Sequence, residues 1–144
     1  MEDFENGKVG LGDDAWMCSF PVQLEANEAG QPVLRRGAIA SLPLTGATAA
    51  NRTFLVDITT FGGDSGAAVL SGNPGRREAD WRIVGIVSGM HRQSDRFAVP
   101  FQETTLHYPL GLAIAAPADL VRETVREAAK EGFNLGAGGP GTAP

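Results

Sequence analysis

Cysteine is almost absent. The one thiol, Cys18, cannot close an internal disulfide, so stability has to come from a packed core. It sits in an alternating apolar stretch and reads as a buried, inert thiol. The lack of disulfides fits a reducing compartment without assigning one. Histidine is nearly as scarce. His91 and His107, with one cysteine and scattered carboxylates, give no metal-ligand spacing. No apolar run approaches the ~18 residues of a membrane span, and no charged-then-apolar leader opens the chain, so neither a span nor a signal peptide is expected. Basic clusters are missing as well. Arg35-Arg36 and Arg76-Arg77 are isolated pairs in a chain of net charge −5, which argues against a phosphate-tracking stripe and a nucleic-acid partner. The glycine-rich stretches precede no phosphate-loop lysine, so nucleotide binding is unsupported and no cofactor is expected.

What is present is the composition of an ordinary globular domain. The chain is 144 residues long, 42% hydrophobic and 20% charged, enough for one domain with a core. Residues 1–14 are polar and glycine-bearing and read as a lead-in segment, with Asp13-Asp14 as a turn. Short strand-like runs follow at Ala15–Phe20, Gly37–Leu42, Phe54–Thr59, Ala67–Leu70, Trp81–Ser88 and Tyr108–Ala115. Pro21 and Pro43 close the first two, since proline lacks the donor that a ladder needs. Asp57, inside a strand, reads as satisfying a buried hydrogen bond. Leu44–Arg52 and residues 89–105 read as loops, and Ser71-Gly72-Asn73-Pro74-Gly75 as a turn. After Pro117 the period changes. Leu120, Val121, Val125, Ala128 and Ala129 recur at spacings of three and four, with Asp119 early, Lys130 late and Gly132 beyond. This predicts a helix packed on the sheet, with Pro117 in its first turn. The Gly/Ala/Pro-rich tail over 134–144 is expected to be disordered. The whole predicts an all-β barrel or sandwich over 15–133 with a C-terminal helix.

The most informative run is Phe61-Gly62-Gly63-Asp64-Ser65-Gly66-Ala67-Ala68-Val69. It sets a serine between glycines in a tight turn from one strand to the next. Such a turn can expose a hydroxyl and present backbone N–H groups beside it, the arrangement acyl-transfer enzymes use for a nucleophile and its oxyanion hole. Alternatively it is a plain β-turn that uses glycine for positive φ.

Gly63-Asp64-Ser65-Gly66 with its flanks resembles the nucleophile turn of bacterial trypsin-like (chymotrypsin-fold) serine peptidases. The likeness extends through Gly12–Pro21, Arg36–Ala40, Phe54–Asp57, Ile83–Gly89 and Leu110–Val125, so it covers about residues 12–131 but only the C-terminal barrel half of that fold. It implies a six-stranded antiparallel Greek-key β-barrel with a C-terminal helix. It further implies Ser65 as nucleophile of peptide-bond hydrolysis through an acyl-enzyme, with the N–H groups of Gly63 and Ser65 as oxyanion hole. Asp64 would hold the loop through an internal ion pair. Ser88, Gly89 and Met90 would pair with an extended polypeptide substrate, and Thr59 would lie near the floor of the specificity pocket, giving no charge for a basic side chain.

The sequence departs from that pattern where Gly66-Ala67-Ala68 stands in place of the family's usual glycine and proline. No histidine precedes Ser65. The catalytic histidine and aspartate are therefore expected from a missing N-terminal half, with His91 and His107 read as surface residues. The alternative is a non-catalytic peptidase homologue, a peptide-binding or regulatory module that self-associates through the face a first barrel would cover.

Overall fold

The computed structural model describes residues 9–23, 25–42, 48, 51–72 and 81–132. Six antiparallel strands form the sheet: β1 (Asp14–Ser19), β2 (Val33–Ile39), β3 (Phe54–Asp57), β4 (Ala68–Ser71), β5 (Arg82–Val99) and β6 (Gln102–Pro117). They close into a barrel in the order β1-β2-β3-β6-β5-β4. The first three strands are neighbours in sequence order and β4 returns to lie beside β1, which is a Greek key. One helix, α1 (Ala118–Lys130), follows β6 directly. Among the described residues no helix is long and apolar enough to cross a membrane.

The barrel follows from period-two alternation. Ala15, Met17 and Ser19 of β1 are buried while Asp14, Trp16 and Cys18 between them are not. Cys18 is therefore half-buried on the outward side rather than in the core, because it falls on the other parity from Met17. The interior is filled by Met17, Ile39, Phe54, Val56, Val69, Val84 and Val87. Small residues make room for the largest ring: Ala115 lies opposite Phe54 on β6, and a Cβ on Gly85 would stand 2.7 Å from the Phe54 ring. Val9, in the lead-in segment, is buried against this core.

Several expected boundaries move. The second strand is Val33–Ile39 rather than Gly37–Leu42, since Ser19 through Asp14 pair with Val33 through Ala38. Two adjacent arginines look unlike a strand, but both find carboxylates. Arg36 forks onto Asp14 at 2.7 and 2.8 Å across the ladder, and Arg35 reaches Asp64. Asp57 ends β3 exposed instead of satisfying a buried bond. Asp13, as expected of a turn, accepts the Gly10 N–H at 2.7 Å.

The larger correction concerns residues 89–105. They form no loop. β5 and β6 run on past the barrel as a two-stranded ribbon paired from Arg92↔Pro109 to Val99↔Gln102, with its turn at Pro100-Phe101. Pro117 stays in β6 as the residue before the helix (φ −60°, ψ 146°), and Gly132, with φ +80°, follows its end. The helix touches β5 and β6, but none of its residues is buried; Leu120, Val121 and Ala128 are half-buried and Val125 is exposed. Most of the loop 44–52, the Asn73-Pro74-Gly75 turn and the tail lie outside the described residues.

Candidate active site around Ser65

The link from β3 to β4 is two successive β-turns. The Asp64 N–H donates to the Phe61 carbonyl at 3.2 Å and the Ala67 N–H to the Asp64 carbonyl at 3.0 Å. Gly63 (φ +96°) and Gly66 (φ +91°) occupy the third position of each turn, where a left-handed residue is needed. Ser65 sits at the second position of the second turn. Its side chain is exposed and has no hydrogen-bond partner among the described residues.

The turn is held from three sides. On one side, the Gly66 N–H donates to the Val87 carbonyl at 2.8 Å and the Val87 N–H to Ala67 at 2.9 Å, extending the β4–β5 ladder up to the serine. On a second, the Val22 N–H donates to the Gly62 carbonyl at 2.6 Å. Val22 does so at φ 53°, a strained conformation for a β-branched residue.

The third hold is Asp64, 1% exposed. Its Oδ2 accepts the Phe61 N–H at 2.7 Å, and its Oδ1 takes the Arg35 guanidinium and the Ser19 hydroxyl at 2.8 Å. Arg35 also donates to the Thr59 carbonyl and to Ser19 Oγ, both at 2.7 Å, and lies 5.6 Å from the centre of the Phe61 ring. Burial pushes the Asp64 carboxyl up. The hydrogen bonds from Arg35, Phe61 and Ser19 and the Arg35 charge outweigh it, so the group titrates below its ordinary value of 3.8.

These anchors fix the peptide planes beside the serine. In a trans peptide the carbonyl and the N–H point in opposite directions. With the Gly62 carbonyl held by Val22, the Gly63 N–H is aimed away from Val22. With the Asp64 carbonyl held by Ala67, the Ser65 N–H is aimed away from Ala67. Neither N–H has an acceptor among the described residues. Each is thus a donor without an acceptor among those residues, next to a serine whose hydroxyl is exposed.

The remaining expected site residues are spread around this turn. Thr59 is exposed and contributes its carbonyl to Arg35; its neighbour Thr60 is the buried one, its Oγ1 without a partner among the described residues. Ser88 is exposed at a bulge in β5, its hydroxyl 3.2 Å from the Ile114 carbonyl, and Gly89 and Met90 pair with Ile114 and Ala113 of β6. On the other edge of β5, no described strand pairs beyond Val87. His91 is exposed, four residues along β5 from Val87, or roughly 13 Å at the usual strand rise. His107 lies farther out on the ribbon, its Nδ1 2.7 Å from Ser94 Oγ. Neither histidine is bonded to Ser65.

Arg35 and Ser19 are functional partners of the turn that the motif around Ser65 does not point to. The signal was present: once β2 starts at Val33, Arg35 opposes buried Met17 and faces inward, where an arginine needs a carboxylate. A groove of about 500 Å³ lies elsewhere, between Arg52 and the Leu120, Glu123 and Glu127 side of α1, and holds none of these residues. Among the described residues no cluster of His, Cys, Asp and Glu could hold a metal ion. No protein-family model, no curated protein and no solved structure matches the chain.

Proposed function

We propose that this barrel is the nucleophile-bearing half of a serine peptidase site of the trypsin-like kind, with Ser65 attacking a polypeptide carbonyl to form an acyl-enzyme. The observation that carries the reading is the serine turn itself. Ser65 Oγ is exposed and has no bond among the described residues, yet the backbone around it is pinned by Val22, Val87 and the Asp64–Arg35 pair. The free Gly63 and Ser65 N–H groups would take the developing oxyanion. Substrate would lie along the open edge of β5 at Ser88, Gly89 and Met90, adding a strand, with Thr59 on the pocket side. The base would be a histidine on another polypeptide segment, because His91 and His107 stand away from Ser65 and a general base must lie within hydrogen-bond reach.

That same absence favours a second reading, a peptide-binding module that keeps the open edge without the chemistry. Fluorophosphonate labelling of the folded chain separates the two, run with and without imidazole as external base and with Ser65→Ala as control. Labelling that imidazole accelerates and Ser65→Ala abolishes supports a nucleophile waiting for its base. Equal labelling of both proteins, or none under either condition, removes the nucleophile reading and leaves the binding module.

A further inference from the structure

The ribbon beyond the barrel has two unlike faces. Residues directly opposite in an antiparallel ladder share a face, and the pairs Gln93↔Tyr108, Asp95↔Leu106, Phe97↔Thr104 and Val99↔Gln102 alternate with Arg92↔Pro109, Ser94↔His107, Arg96↔Thr105 and Ala98↔Glu103. The second face is mostly polar and holds two side-chain pairs. Ser94 bonds His107 at 2.7 Å, and Arg96 lies 3.3 Å from Glu103. The first face carries Phe97, Val99, Leu106 and Tyr108 among Gln93, Asp95, Gln102 and Thr104, and continues to Leu110 by alternation; Phe101 lies just beyond it in the turn. All six apolar residues are exposed, Phe97 at 53% and Phe101 at 109%.

A ribbon of two strands does not hold its shape well in water unless its apolar face is covered. We propose that this face is covered by the same face of a second copy of the chain, giving a twofold dimer of ribbons packed apolar side to apolar side.

Two features select that occupant. The six side chains leave on the order of 700 Å² open per chain, so two copies could bury up to ~1,400 Å² of it, which reaches the ordinary range for a stable interface of about 1,200–2,000 Å². The face that would meet its copy carries one charge, Asp95, which accepts a hydrogen bond from Gln93 Nε2 at 3.1 Å, while Arg92, Arg96 and Glu103 lie on the opposite face. The apolar residues also follow one face along the ribbon's length rather than surrounding its tip. That pattern suits a flat partner of the same shape and not insertion of the tip into lipid, which the net charge would further oppose at an anionic surface.

Sedimentation velocity of the full chain over ~1 to ~100 µM tests this. A dimer is expected, with Phe97→Glu and Leu106→Glu each weakening it by ~30-fold or more and Thr105→Glu, on the polar face, leaving it unchanged. The Trp16–Trp81 pair, 5.9 Å apart and outside the ribbon, gives a fluorescence check that each variant keeps its barrel. A wild-type chain that stays monomeric to ~100 µM, or a dimer indifferent to Phe97→Glu and Leu106→Glu, overturns the proposal.

Discussion

Arg35 Nη2 lies 2.5 Å from Asp64 Oδ1, joining the inward face of β2 to the serine turn, with Asp64 1% and Arg35 17% exposed. Breaking such a pair from one side leaves either the fully buried carboxylate or the largely buried guanidinium without its partner. Arg35→Met and Asp64→Ala should therefore each cost about 3–5 kcal/mol in urea unfolding. The double variant Arg35→Met/Asp64→Leu should cost clearly less than the two single losses together, because no lone charge is left behind. Additive losses would mean that the two residues act independently.

The same pair sets a pH dependence. Asp64 titrates lower in the folded chain than in the unfolded one, where a carboxyl sits near ~3.9. A depressed folded value gives stability that is fully present above the unfolded value and is lost as pH falls through the folded one. Unfolding free energy should thus drop below about pH 4 in the wild type, and Asp64→Asn should flatten that part of the curve. A fall of equal steepness in both proteins would assign the acid transition to other carboxyls.

Two barrel glycines are predicted to resist any side chain. A Cβ on Gly37 would stand 2.0 Å from the Asp57 carbonyl oxygen, and one on Gly85 would stand 2.5 Å from the Ala116 oxygen and 2.7 Å from the Phe54 ring. Backbone cannot step aside cheaply, so Gly37→Ala and Gly85→Ala should cost about 3 kcal/mol or more. Gly89→Ala meets only the end of Ile114 at 3.9 Å and should change the midpoint little.

How much of this was visible in the residues depends on where the determinants lie. The barrel was legible because strands such as β1 alternate and turn residues separate the strands, as Ala15, Met17 and Ser19 illustrate. The serine turn was legible because Gly63 and Gly66 are needed there for positive φ. Arg35 was not, since its role depends on a partner 29 residues away and on a strand register that adjacent arginines disguise. The ribbon has the sequence look of a surface loop because its strands have only one apolar face and none of it is buried in the barrel. The helix stripe did predict a helix, but not that Val125 would remain exposed, because periodicity gives the face and not the partner.

The last prediction separates a serine that shapes its turn from one that the turn displays. Ser65 is exposed and its hydroxyl makes no bond among the described residues, so Ser65→Ala should leave stability within ~0.5 kcal/mol of wild type. Gly66, one residue on, has φ +91° with open space around the position of a Cβ, so Gly66→Ala should lose ~1–2 kcal/mol to backbone conformation alone. Thermal and urea unfolding of the two variants side by side measures this. A loss above ~1 kcal/mol in Ser65→Ala would make the hydroxyl a structural element and take away the main support for its role as nucleophile. A neutral Ser65→Ala beside a costly Gly66→Ala would mean that this backbone conformation is maintained around a hydroxyl that folding does not need.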